Sequence, residues 1–150
     1  MICFVPTMAD HKRLTELQLN HEALAADGKD YAGQMVVKPW GSEKSVRSTE
    51  HFDAWSLSIN PGHETSLHCH LRKTTVLMVE RGRILLTTLT GTWTLRIGES
   101  ALIAPCVFHR LSTPLGAEVT EIEWPPNRND LVRLEDRYGR QGKGYAHAGG

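Results

Sequence analysis

The sequence lacks any excess of charge: its 150 residues carry 17 lysines and arginines against 17 aspartates and glutamates. That balance offers no electrostatic footprint for nucleic acid or for an anionic membrane. No apolar run approaches the roughly 20 residues that span a bilayer. The opening Met1-Ile2-Cys3-Phe4-Val5-Pro6-Thr7 is too short, and lacks the basic flank, for a signal peptide. Three cysteines, odd in number and without CxxC spacing, argue against a disulfide framework and fit a reducing cytoplasm. There is no repeat and no long low-complexity segment. The length suits one domain with a real core. The expected partner is a small molecule rather than nucleic acid or membrane, and the expected location is cytoplasmic.

Histidine is what the chain has in quantity. It holds eight, four of them between His63 and His109. His68 and His70 are two apart, so a β-strand projects both from one face. His109 follows a second glycine-bounded stretch, Gly98 to His109. Three imidazoles gathered on the inner wall of a small β-barrel would hold one divalent ion and leave positions open for substrate or water. Imidazole alone does not choose the ion, and zinc, manganese, iron, nickel and cobalt all fit.

The pattern divides the chain into residues 1–34, an extension, residues 35–140, a barrel, and residues 141–150, a glycine-rich flexible tail. Asp10 to Ala26 reads as a helix, with Leu14, Leu17, His21 and Leu24 on one face, Asp10 as N-cap and Gly28 as its stop. From Met35 onward, short strands alternate with turn signals every 8–12 residues, the signature of an all-β sandwich or barrel. Strands are expected near 54–59, 66–70, 75–80, 83–89, 92–97, 100–103, 108–112 and 118–124. The expected turns include Arg81-Gly82 and Gly98-Glu99, with Gly82 and Gly98 supplying positive φ. The strand-like Ile2–Val5 and the helix after it are candidates for a homodimer contact that covers a sheet edge.

Gly62, His68, His70 and Gly82 resemble the first motif of the cupin superfamily, G-x5-H-x-H-x3–4-E-x6-G. Gly98 and His109 resemble its second motif. The glutamate of the first motif falls on Thr75. In the second, Pro105 is shifted by one, Cys106 stands at the usual glycine and Thr113 at the usual asparagine. Val37-Lys38-Pro39-Trp40-Gly41-Ser42-Glu43 and Asp130 to Arg140 resemble the KPWG-x-E opening and the D-I-V-R-x-E-D-x-Y-G-R ending of cupins related to type II mannose-6-phosphate isomerase. The resemblance implies a jelly-roll-type double-stranded β-barrel with an N-terminal helical extension. It also implies a metal-dependent isomerase or epimerase acting on a sugar phosphate or similar metabolite.

On that reading His68, His70 and His109 are the metal ligands, and Glu123 or Glu64 moves the proton. His63, Lys73, Arg133, Arg140 and Trp40 are the expected substrate contacts. Glu121 shares a face with Glu123 on the last barrel strand, and one of the two is expected at the surface. With threonine at position 75, His63 or Glu64 is also a candidate to complete the ligand set. A three-histidine Fe(II) dioxygenase and a non-catalytic binding barrel are the alternatives, since one barrel hosts many activities.

Overall fold

The computed structural model describes residues 1–17 and 33–139. The strands are β1 (Ile2–Phe4), β2 (Met35–Lys38), β3 (Gly41–Ser48), β4 (Asp53–Ile59), β5 (His63–Glu64), β6 (Leu67–Cys69), β7 (Thr74–Thr88), β8 (Gly91–Arg96), β9 (Ser100–Ile103), β10 (His109–Thr113), β11 (Ala117–Trp124) and β12 (Val132–Glu135). One helix, α1 (Met8–Glu16), stands among them. The fold is all-β, as the sequence pattern implies.

The 15-residue β7 organises the barrel. Its first half pairs with β9 and β11, and the sheet continues through β4 and β3 to β2. Its second half pairs with β8 and β10, and that sheet continues through β6 to β12. One long strand therefore serves two sheets, which close over a core of Trp55, Leu57, Leu77, Val79, Ile84, Leu86 and Leu95. Alternation puts these side chains inward and their neighbours outward.

The crossing point is Gly82, and it corrects the sequence reading. Arg81-Gly82 is not a turn between two strands but the bend inside one. Opposite β11 the register shifts there, so that Glu80 is the extra residue of a bulge. Gly82 has φ +74°, as expected, and a Cβ on it would lie 2.3 Å from the carbonyl oxygen of Gly116. Only glycine lets the strand swing between sheets this close to its neighbour.

The helix is also re-phased. Thr7, not Asp10, is the N-cap: its hydroxyl accepts from the Asp10 amide, and the Asp10 carboxylate accepts from the Thr7 amide. Asp10 is the third helical residue of a capping box, a pattern that reads as an N-cap when the threonine three residues earlier is overlooked. Leu14 packs on a second apolar cluster of Leu67, Cys69, Leu71 and Phe108. The continuation of the helix through His21 and Leu24 to Gly28, like the tail from Arg140 onward, lies outside the described residues.

β1 pairs in parallel with β9 of its own chain, Ile2 opposite Ala101 and Phe4 opposite Ile103. Phe4 meets Trp93 edge-on, with ring centroids 4.9 Å apart. No helix among the described residues is long and apolar enough to cross a membrane.

Candidate metal centre

The second sheet brings the three histidines together. His68 on β6 stands directly opposite His109 on β10, so both project from the same face. His70, two residues on, projects likewise. The ring centroids of His68 and His109 are 4.5 Å apart, and those of His70 lie 5.2 Å and 5.6 Å from the other two. One ring nitrogen from each lies within 4.8 Å of the others.

Every Nδ1 is held by a backbone carbonyl: His68 by Ser66 at 2.8 Å, His70 by Asp130 at 2.6 Å and His109 by Val107 at 2.9 Å. An Nδ1–H that donates to a carbonyl fixes the tautomer and turns the bare Nε2 outward as a ligand. Burial holds all three rings neutral. It pushes His68 and His70 well below the usual histidine range and His109 to about 4. Three neutral, oriented imidazoles are a donor set that could hold a divalent ion.

A consequence appears in acid. As pH falls below about 6.5, protons bind the unfolded histidines before the folded ones. Stability is therefore fully present above 6.5 and is lost as pH falls towards 4, at roughly 1.4 kcal/mol per pH unit for each ring. Glu121 acts in the opposite sense, since its folded pKa is raised to about 8 and the folded chain binds that proton first. Three rings outweigh one carboxyl below 6.5. Urea unfolding of metal-free protein from pH 8 to 4.5 should show a maximum near pH 6.5 and a steep acid decline. A profile flat from 6.5 to 4.5 would mean that the rings are solvated.

Facing the histidines is a wall of charge on the first sheet. Arg128, after β11, donates to Glu43 at 2.8 Å and to Glu123, lies 4.0 Å from Glu121, and stacks 4.1 Å over the Trp55 ring. Lys38 pairs with Glu43 at 3.1 Å, and Lys73 with Glu123 at 3.0 Å. Burial pushes Lys38 down to about 8. Burial would raise Glu123, but Arg128 and Lys73 overcome it and hold that carboxyl at about 2. Glu121 goes the other way: burial, then the charge of Glu123, raises it to about 8. Two carboxyls on one strand face thus have very different affinities for a proton.

The two walls enclose a pocket of about 620 Å³, counted out to its open mouth. Four cationic side chains, Lys38, Lys73, Arg128 and Arg133, line it against three carboxyls, Glu43, Glu121 and Glu123. With Glu121 protonated near neutrality, the excess of positive charge grows. The lining favours an anionic ligand.

Of the residues singled out from sequence, His68, His70, His109, Lys73, Glu123, Arg133 and Trp40 all line this pocket. Arg133 stands opposite His68 in the β12–β6 pair. Glu64 and His63 do not line it. Strand β5 ends at Glu64, and the Thr65–Ser66 break resets the alternation that would otherwise carry Glu64 inward with His68. Glu64 stands opposite Ser112, on the outer face with Arg110, 3.9 Å away. His63 Nδ1 bonds the Pro61 carbonyl at 2.9 Å, and its ring stacks parallel to Tyr138 at 6.2 Å. Arg140 lies outside the described residues.

Cys69 is buried behind the histidines, and burial raises its thiol, as it does for Cys106. Cys106 has φ +69°, which explains why glycine is usual at this motif position. The Thr75 hydroxyl is fully buried, with no hydrogen-bond partner among the described residues.

Sequence reasoning missed Lys38, Glu43 and Arg128 as pocket residues, and Asp130 as a structural anchor. Its carboxylate accepts from the amides of Leu71, Arg72 and Lys73 at 2.6, 2.9 and 2.9 Å. Lys38, Glu43 and Asp130 lie inside the quoted motifs, but only the fold shows what they face.

Comparison with known proteins agrees with the geometry. Residues 26–136 match the family described as mannose-6-phosphate isomerase C-terminal. The alginate biosynthesis protein AlgA of Pseudomonas aeruginosa is 31% identical over 109 residues, covering 70% of this chain and 23% of its own length. The mannose-1-phosphate guanylyltransferase ManC of Salmonella typhimurium is 27% identical over 139 residues, covering 89% of this chain and 29% of its own. The chain thus spans about a quarter of the length of these curated relatives. Among solved structures, KdgF from Halomonas sp. superposes with a TM-score of 0.58 at 18% identity, over 69% of this chain and 94% of that one. An RmlC-like cupin from Shewanella frigidimarina gives 0.54 at 19% identity, over 72% and 89%. With a family match over nearly three-quarters of its residues on a cupin barrel, the chain belongs to the mannose-6-phosphate isomerase C-terminal family.

Proposed function

We propose that this chain is a metal-dependent catalyst of aldose–ketose isomerisation on a sugar phosphate. The observation that carries the reading is the placement of Glu121, a half-buried carboxyl beside Glu123 in the wall that faces three oriented histidines, where burial and the neighbouring carboxylate raise its pKa. A divalent ion held by His68, His70 and His109 would polarise the substrate's carbonyl and hydroxyl oxygens. The ionised form of Glu121 would take the proton from the hydroxyl-bearing carbon next to the carbonyl, the hydroxyl proton would pass to the carbonyl oxygen, and Glu121 would return its proton to the former carbonyl carbon. A base near pKa 8 gives and takes protons at neutral pH, whereas one near 2 is too weak. Glu123, expected from sequence as a base, is instead the counter-ion that keeps Lys73 and Arg128 in place. The cationic lining suits the phosphate, and Trp40 offers an apolar surface to the sugar.

The test is solvent-deuterium incorporation at the substrate carbon beside the carbonyl, across a panel of sugar phosphates that includes mannose 6-phosphate. The wild type is expected to exchange. Glu121→Gln is expected to lose about 100- to 10,000-fold in rate, with metal content by elemental analysis unchanged. Wild type that carries stoichiometric metal yet exchanges no proton on any member of the panel would sink the isomerase reading.

Thr75 favours a second reading. Among the described residues the ligating group holds three histidines and no carboxylate, as in a three-histidine Fe(II) dioxygenase. Stoichiometric iron with substrate-dependent oxygen uptake would move the assignment there.

A further inference from the structure

The loop from Ala104 to Phe108 delivers His109 to the metal centre, and its backbone is pinned at three points. The Ala104 amide donates to the Phe4 carbonyl at 3.0 Å. The Cys106 amide donates to the His70 carbonyl at 2.6 Å. The Phe108 amide donates to the Asp10 carboxylate at 3.0 Å. Two of the three pins come from residues 4 and 10, which precede the family match beginning at residue 26. The loop itself contains Cys106 in the left-handed region, a conformation a non-glycine residue keeps only when its surroundings enforce it.

Asp10 is built for this contact. It is 1% exposed. One carboxylate oxygen accepts from Phe108, and the other accepts from the Thr7 amide at 2.8 Å and the Thr7 hydroxyl at 2.9 Å. The helix N-terminus favours its negative charge. The capping box therefore locks the side chain on one side while it reaches 98 residues along the chain on the other. Upstream, β1 is hydrogen-bonded to β9 and Phe4 lies in the core. The arm is anchored on both sides of the loop it holds.

We propose that the N-terminal arm, residues 2–16, is a clamp on the metal centre, and that Asp10 is a positioning residue for His109. The inference rests on the reading of His68, His70 and His109 as a metal site. Asp10 holds the amide next to His109, while the Val107 carbonyl holds the His109 ring. Loss of the carboxylate frees the backbone that sets the direction of the third ligand. Partners of metal ligands have effects of this kind, about 10- to 100-fold in affinity.

The experiment is a titration of full-length metal-free protein with Co(II), followed by visible absorption, with each variant shown to be folded by circular dichroism. Asp10→Ala is expected to weaken Co(II) binding about 10- to 100-fold and to alter the absorption envelope of the bound ion. Asp10→Asn keeps one acceptor oxygen, so its affinity should fall between alanine and wild type; it also carries the test if the alanine variant does not fold. Thr7→Ala takes the hydroxyl away from the Asp10 carboxylate but leaves the Thr7 and Phe108 amides on it, so it is expected to lose clearly less affinity than Asp10→Ala. Amide exchange at Phe108 should speed up more in Asp10→Ala than in Thr7→Ala. Wild-type affinity in both Asp10 variants overturns the proposal, as does an equal loss in Thr7→Ala, which would make the effect one of helix stability. Wild type that binds no Co(II) overturns the metal-site reading itself, and the clamp with it.

Discussion

Asp130→Ala is expected to destabilise the folded protein by about 4 kcal/mol and to weaken metal binding with it. The carboxylate is 1% exposed and collects three consecutive backbone amides, those of Leu71, Arg72 and Lys73. Hydrogen bonds to a charged acceptor are worth about 1.5–3 kcal/mol each, and a buried donor left without an acceptor costs about 1–3 kcal/mol. The three are not additive, because one loop holds them all. The same residue's main-chain carbonyl holds His70 Nδ1, so the turn that Asp130 ties down also orients a proposed ligand. Alanine keeps that carbonyl but releases the turn. Urea unfolding gives the stability loss, and Asp130→Asn, with one acceptor oxygen left, should fall between. An alanine variant within about 1 kcal/mol of wild type would mean that water replaces the carboxylate and that the turn orders itself.

The second large effect concerns Glu123. Replacing it by alanine is expected to cost about 3–5 kcal/mol, the penalty for leaving a buried charge without its partner. Lys73 Nζ is 3.0 Å from this carboxylate, and Lys73 and Glu123 are 2% and fully buried. Arg128 keeps Glu43 when Glu123 is gone, so the uncompensated charge sits mainly on Lys73. Adding Lys73→Met should therefore recover about 2 kcal/mol of the loss, a coupling typical of contacting groups. Glu123 binds its proton at about pH 2 when folded, so the stability it contributes is present above the ordinary carboxylate range. That contribution is lost as pH falls from about 4.5 towards 2. A single-variant cost below about 1 kcal/mol would show a solvated pair like those at protein surfaces.

How far the site was legible depended on spacing. His68 and His70 lie two apart on one strand, and alternation in a strand needs no tertiary knowledge, so their common face followed from sequence. The same arithmetic puts Glu64 on that face. The break at Thr65–Ser66 defeats it, because parity holds only along an unbroken strand. Gly82 shows a similar limit. Its positive φ was readable, but a glycine in a bulge and a glycine in a hairpin look alike until the partner strand is known. Asp10 could be assigned to a helix start, yet its bond to Phe108 joins residues 98 apart, and nothing local announces it.

The all-β pattern, the histidine cluster and the family were legible in the sequence, because each rests on residue types at short spacings. The tertiary structure alone decided the chemistry of the facing wall. Glu121 and Glu123 share one strand face and one residue type, and no sequence rule separates them. What separates them is the company each keeps. Glu123 meets Lys73 and Arg128 at contact distance and stays ionised, whereas Glu121 stands 4.0 Å from Arg128 and its pKa is raised to about 8. Burial and charge act through distances in space, and those distances exist only once β11 lies between β4 and β7.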